Sequence, residues 1–255
     1  MELTAIISGF AVGAILGLTG VGGGSLMTPL LIGAFKLHPA VAIGTDLWFA
    51  GLTKTGGAIA HHRHGHVDRG IAKLLLVGSL PAAAATIAWM HVTGLTKGWA
   101  SVLTLSLGIA LLLTALVVAN RPLWQKLGLR LEAWIPARHK PLLTVLVGAL
   151  LGLLVTLSSV GAGALGATLI LLLYPRLPAQ QVVGTDIAYA VPLTLVAGIG
   201  HASLGHVEWA LLAALLPGSL PGIWLGARLT KSLPDKLIRT LLAGSLVLAG
   251  LRVIY

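Results

Sequence analysis

The chain is built of long apolar runs separated by short stretches of glycine, proline, histidine and charge. Three runs in the first half, roughly Val41–Ala60, Ile71–Met90 and Trp99–Ala119, each approach the ~20 residues that a spanning helix needs. Three more follow in the second half, roughly Val182–Gly200, Ala210–Ala227 and Leu237–Ile254. Each trio is preceded by a shorter apolar pair broken at glycine. The first pair is Leu3–Thr19 and Ser25–Phe35, interrupted at Gly20–Gly24; the second is Leu142–Leu157 and Ala164–Tyr174, interrupted at Gly161–Gly163. A helix over Ser25–Phe35 is ~16 Å long, about half a hydrocarbon core. Such a pair is too long for one straight crossing and too short for two, which predicts a broken or re-entrant hairpin. Backbone of that kind survives at membrane depth only where it lines a cavity or is buried in protein. Between the halves, Leu123, Leu127, Leu131 and Trp134 share one helical face, with Lys126 and Arg130 elsewhere. That spacing predicts an amphipathic helix lying on the inner membrane surface.

The polar punctuation is repeated. Gly44-Thr45-Asp46, His61, Gly65-His66-Val67 and Gly78-Ser79-Leu80-Pro81 recur 140 positions on as Gly184-Thr185-Asp186, His201, Gly205-His206-Val207 and Gly218-Ser219-Leu220-Pro221. Asp68 meets Glu208 at the same offset, and Val21-Gly22-Gly23-Gly24 meets Val160-Gly161-Ala162-Gly163 at 139. The chain therefore divides into a first membrane repeat (1–119), a linker with the amphipathic helix (120–140), and a second membrane repeat (141–255). Paired repeats in a membrane are typical of carriers.

Composition agrees, with 56% hydrophobic and 9% charged residues and a mean hydropathy of +0.96, where soluble domains run near a quarter charged. There is no cysteine, which excludes disulfides and thiolate chemistry. No Lys or Arg precedes the first apolar run, so Leu3–Thr19 reads as retained structure and not as a cleaved signal peptide. The net charge of +10 sits at helix ends and not in one stripe, which marks topology and excludes nucleic acid as a partner. It also separates two symmetries. With Asn120–Lys140 inside and the copies inverted, 13 Lys and Arg lie inside against 3 outside (Lys36, Lys97 and Arg252), and Lys54 falls within a helix. Parallel copies would split the same charges 9 against 7. The positive-inside rule favours inversion.

Candidate chemistry concentrates in four places. Glycine-rich backbone at a helix start exposes unpaired N–H groups, and the helix dipole adds positive potential, so Gly22, Gly23, Gly24 and Ser25 in one copy and Gly161 and Gly163 in the other are candidate anion ligands. Tight helix packing through small residues is the bland alternative. Thr45-Asp46 and Thr185-Asp186 fall at or just inside a spanning helix; they either cap it or place buried carboxylates in the membrane. A carboxylate repels anions unless protonated, so Asp46 and Asp186 suit proton coupling, while the hydroxyls of Thr45 and Thr185 suit direct contact with an oxyanion. Lys54 has Thr194 as its counterpart, an asymmetry that fits either a bound anion or a side chain snorkelling to the headgroups. His61, His62, His64 and His66 form a cluster with Asp68 that allows a second class of function, metal-ion handling. Only His61 and His66 are repeated, however, which favours a shared loop structure, and the pair His61 and His201 also suits proton transfer. No GxSxG or HExxH pattern is present, so the chain is not read as an enzyme, and no cofactor is implied.

Gly20-Val21-Gly22-Gly23-Gly24-Ser25-Leu26-Met27-Thr28-Pro29 resembles the opening motif of the sulfite exporter TauE/SafE family. Ala42-Ile43-Gly44-Thr45-Asp46-Leu47, the spaced His61 and Gly65-His66-Val67-Asp68, and Pro217–Ala227 resemble its later motifs, so that the likeness covers almost the whole chain. The resemblance implies a multi-pass permease of the bacterial inner membrane with two related halves, handling small sulfur oxyanions and organosulfonates such as sulfite. It carries over Gly22, Gly23, Gly24, Thr45, Gly161, Gly163 and Thr185 as site residues. Asp46 and Asp186 depart from the family pattern, where Ser or Asn is expected more often, and the departure fits proton linkage or another substrate. The expectation is an all-α transporter of two inverted halves, its substrate anion held between them near the midplane, in a lipid bilayer and compatible with a homodimer.

Overall fold

The computed structural model describes residues 2–19, 24–93, 97–229 and 235–254. The elements are α1 (Glu2–Thr19), α2 (Gly24–Gly33), α3 (Pro39–Arg63), α4 (Arg69–Thr93), α5 (Lys97–Ala119), α6 (Arg121–Glu132), a short 3-10 turn (Ala137–His139), α7 (Lys140–Ser158), α8 (Ala164–Leu173), α9 (Ala179–Ser203), α10 (Trp209–Leu229) and α11 (Asp235–Ile254). Among the described residues there is no strand. Among the described residues, five helices are long and apolar enough to cross a membrane: α4, Trp99–Ala119, Ala137–Ser158, α9 and α10. Their outward faces are apolar, as lipid requires, with Val77, Leu146 and Leu220 among the exposed side chains. The protein is an all-α polytopic membrane protein.

Two expectations change. Of the six runs expected to span, those that form α3 and α11 are not among the five; α3 carries Asp46 and Lys54 and ends in His61-His62-Arg63. The second broken pair is also unequal. Residues 137–158 are long enough to cross alone, and only α8, at ten residues or ~15 Å, is a half-helix.

Glycine decides how the helices pair. In α1, a Cβ added at Gly9, Gly13 or Gly17 would collide with the backbone of Leu215, Ser219 or Ile223 in α10. Gly218, Gly222 and Gly226 return the contact from α10 to Ile6, Phe10 and Ala14. The same arrangement joins α4 to α7, where Gly78 lies on Val145 and Gly148 and Gly152 lie on Leu75 and Ser79. Small residues let membrane helices approach until backbones touch. The contact of Gly9 with Leu215 corresponds under the repeat to that of Gly148 with Leu75. Each half thus lends its first helix to the other half. Residue numbers rise together along both pairs, so each pair runs parallel.

At the centre, α3 packs against α9, with Leu47, Tyr189, Ala190 and Leu193 fully buried around them. The first turns of each helix meet the loop that follows the other. The Glu208 N–H donates to Thr45 Oγ1 and the Asp68 N–H to Thr185 Oγ1, both at 2.9 Å. These two helices therefore run in opposite directions.

The linker helix α6 forms as its pattern predicts. Gly128 lies on the Leu171–Leu172 backbone of α8, and Trp124 packs on the core. Leu123, Leu127 and Trp134 are exposed, whereas Leu131 turns half inward. Glu132 closes the linker by accepting from Lys140 Nζ at 3.1 Å and Arg176 Nε at 2.9 Å. The Lys140 hydrogen bond above all, with Arg176 beside it, holds the Glu132 carboxyl below the usual carboxylate range.

Candidate functional site

The second glycine break is shaped by backbone that few side chains tolerate. Ser159 ends α7 at φ 57°, and Gly161 and Gly163 follow at φ 128° and 142°, where a Cβ would be strained. The chain then re-enters as α8, whose first turn closes through Gly166 N–H to Gly161 O at 2.9 Å and Ala167 N–H to Gly163 O at 2.8 Å. In the first break, Gly22 and Gly23 lie outside the described residues. Gly24 opens α2, and the Ser25 side chain also lies outside the described set.

Three charged side chains converge between α3, α9 and this break. Asp46 is fully buried and accepts a hydrogen bond from Thr28 Oγ1 of α2, while the Ser159 hydroxyl faces it. Its Oδ1 has no partner. Asp186, 3% exposed, faces the Gly163 N–H and the Tyr189 hydroxyl. Gly166 makes this approach feasible, since a Cβ there would strike both Asp186 Oδ1 and the Tyr189 oxygen. Lys54 lies between the carboxylates and interacts with both. Its Nζ donates to the Ala162 carbonyl at 2.7 Å. It reaches inward to the break, so snorkelling to the headgroups is overturned. Its counterpart Thr194 is bonded back to the Ala190 carbonyl at 2.9 Å.

Thr45 and Thr185 are buried, and their hydroxyls accept the loop amides already described. Neither Thr-Asp pair caps its helix, because α3 begins at Pro39 and α9 at Ala179. The capping that does occur is by Asp68, whose Oδ1 accepts from the Ile71 N–H at 3.0 Å at the start of α4.

The histidines form two matched loops. Gly65 (φ 70°) and Gly205 (φ 75°) take the left-handed conformation that ends a helix. The N–H groups of His66 and His206 donate to the carbonyls of His61 and His201, each at 2.9 Å. Ring centroids are 5.7 Å apart in the first loop and 5.5 Å in the second. His201 is fully buried, and its Nε2 lies 2.9 Å from the Thr156 carbonyl. Because α3 and α9 run oppositely, each loop packs on the other half's Gly-Thr-Asp segment: His206 lies on Gly44 and His66 on Gly184. Among the described residues, no three His, Asp or Glu side chains are placed to hold a metal ion.

Sequence reasoning brought Asp46, Lys54, Gly163 and Asp186 together and missed Thr28, Ser159, Gly166 and Tyr189. Tyr189 carried a signal: it stands three residues after Asp186, on the same helical face. Gly166 carried none, since its role depends on what α9 presents to it.

Comparison with known proteins agrees with the architecture. Residues 5–253 match the family described as sulfite exporter TauE/SafE. The chain is 37% identical to the probable membrane transporter protein YjnA of Bacillus subtilis (strain 168), with all of both chains covered. It is 26% identical to the probable membrane transporter protein YdhB of the same organism, over 96% of this chain and 97% of that one. A probable membrane transporter protein of Xylella fastidiosa (strain Temecula1 / ATCC 700964) is 27% identical over 91% of this chain. No solved structure matches. A helical membrane bundle with repeated glycine breaks and charge buried at its centre, matched to one family along nearly its whole length, is a multi-pass membrane transporter of the sulfite exporter TauE/SafE family.

Proposed function

We propose that this protein carries small sulfur-containing anions, such as sulfite or organosulfonates, across the bacterial inner membrane by alternating access. The carrying observation is the buried Asp46, Lys54 and Asp186 constellation at the second glycine break. Ionisable groups at membrane depth are costly and mark substrate or ion paths. Discontinuous helices in matched positions of two halves are the usual place for a carrier's substrate. The family's name supports a sulfur oxyanion. The opposite runs of α3 and α9 and the exchanged first helices support inverted halves that rock about the central site. Lys54 and the α8 N-terminus attract the anion. Asp46 and Asp186 take up the coupling proton, with the two histidine loops as its entry points.

The test is uptake into proteoliposomes from a panel of sulfite, a taurine-like sulfonate, sulfate and a carboxylate. Sulfite or the sulfonate is expected to be taken up preferentially, and Lys54→Gln is expected to cut that uptake about tenfold, the scale of one charge-assisted hydrogen bond. Preference for the carboxylate, or unchanged uptake in Lys54→Gln, overturns the assignment.

A further inference from the structure

The anion-binding end of α8 already faces an anion of the protein's own. A helix start leaves N–H groups without partners in its own turns, and its dipole favours negative charge there. Here the Gly163 N–H faces the Asp186 carboxylate, which reaches over from α9. Gly166, in the first turn of α8, leaves the space that Asp186 Oδ1 and the Tyr189 hydroxyl fill. Those two atoms face each other, yet neither is satisfied by a hydrogen bond of good geometry, although both residues are buried. Buried polar atoms are nearly always paired. Two unsatisfied ones at one helix start mark a place fit for a hydrogen-bonding ligand.

Charge says when that ligand enters. The groups facing Asp186 are Lys54 from α3 and Tyr189 from α9, with Asp46 on the far side of Lys54. Among the described residues, α4, α7 and α8 set no titratable side chain against it. Two carboxylates against one ammonium leave the cluster with an excess negative charge, which repels an anion. One proton on Asp186 removes that excess and weakens its hold on the helix end. The Gly163 N–H and the Tyr189 hydroxyl are then released for oxygens of the substrate, with the Lys54 ammonium beside them.

We propose that Asp186 is a built-in competitor of the substrate for the α8 N-terminus, displaced by protonation, so that anion and proton bind together as a pair. This rests on the anion-transport assignment above. The proton adds to a carboxylate oxygen of Asp186, and no covalent bond to the substrate forms or breaks.

The test is calorimetric titration of the purified protein in detergent with methanesulfonate, whose own charge stays constant across the range, and with sulfite. The wild type is expected to lose methanesulfonate affinity as pH rises from about 5.5 to about 8.5, with a limiting slope of about tenfold per pH unit for one linked proton. Asp186→Asn is expected to bind with a flat pH profile. In the wild type alone, buffers of differing ionisation enthalpy should report about one proton taken up per anion bound. A flat wild-type profile, a slope retained in Asp186→Asn, or no proton uptake overturns the exchange while leaving anion binding standing. No binding of either anion at any pH overturns the anion assignment and the exchange with it.

Discussion

His206 is a buried ring in the loop between α9 and α10, its Nδ1 3.4 Å from Nδ1 of His201. Burial first, and then the neighbouring His38, push His206 below the ordinary histidine range. A group whose folded pKa is depressed in this way stays neutral in the folded protein while the unfolded chain, titrating near ~6.5, takes up the proton. The stability it leaves intact at neutral pH is lost as pH falls through the ordinary histidine range toward the folded value. His206→Gln is expected to reduce the drop in melting temperature between about pH 7.5 and about pH 5. An undiminished drop would place the acid sensitivity elsewhere. At this scale the sequence was legible where repetition was broken. Lys54 stood out because its counterpart is Thr194, and it proved to bind the break. The hydroxyls of Thr45 and Thr185, read as oxyanion ligands, also accept the opposite half's loop amides. No local pattern records which backbone a buried hydroxyl will meet.

At the scale of elements, apolar runs located the helices well. The run read as Ile71–Met90 is α4, Arg69–Thr93, and that read as Val41–Ala60 is α3, Pro39–Arg63. Both helices run on into polar residues because their ends serve the surface and the loops. Partner choice was not legible. Glycines four residues apart say that a face is narrow, not which helix will lie on it. The structure gives the repeated Gly78 and Gly218 equivalent work in two different interfaces. Gly78→Val and Gly218→Val are therefore expected to cost similar amounts, about 1–3 kcal/mol each, as overpacking does. Gly244→Val, with no atom within 4 Å of the added Cβ, is expected to be near neutral. Thermal melts in detergent check this, and unequal costs for the equivalent pair would show that the two interfaces differ.

For the whole molecule, the 140-residue echo and the distribution of Lys and Arg carried the two-fold plan and its proposed inversion. The exchange of first helices between halves was beyond them, since it is a property of packing and not of pattern. Inversion with the linker inside puts the C-terminus outside. A reporter fused after Tyr255 is expected to be active only in its periplasmic form, and cytoplasmic activity would reverse that plan. The exchange also sets a clock on biosynthesis. α1 ends at Thr19, but its partner α10 begins only at Trp209. At ~5–20 residues per second, translation keeps the first helix waiting roughly 10–40 s for the surface it must grip. Throughout that interval its glycine-lined face lacks the helix that covers it in the folded protein.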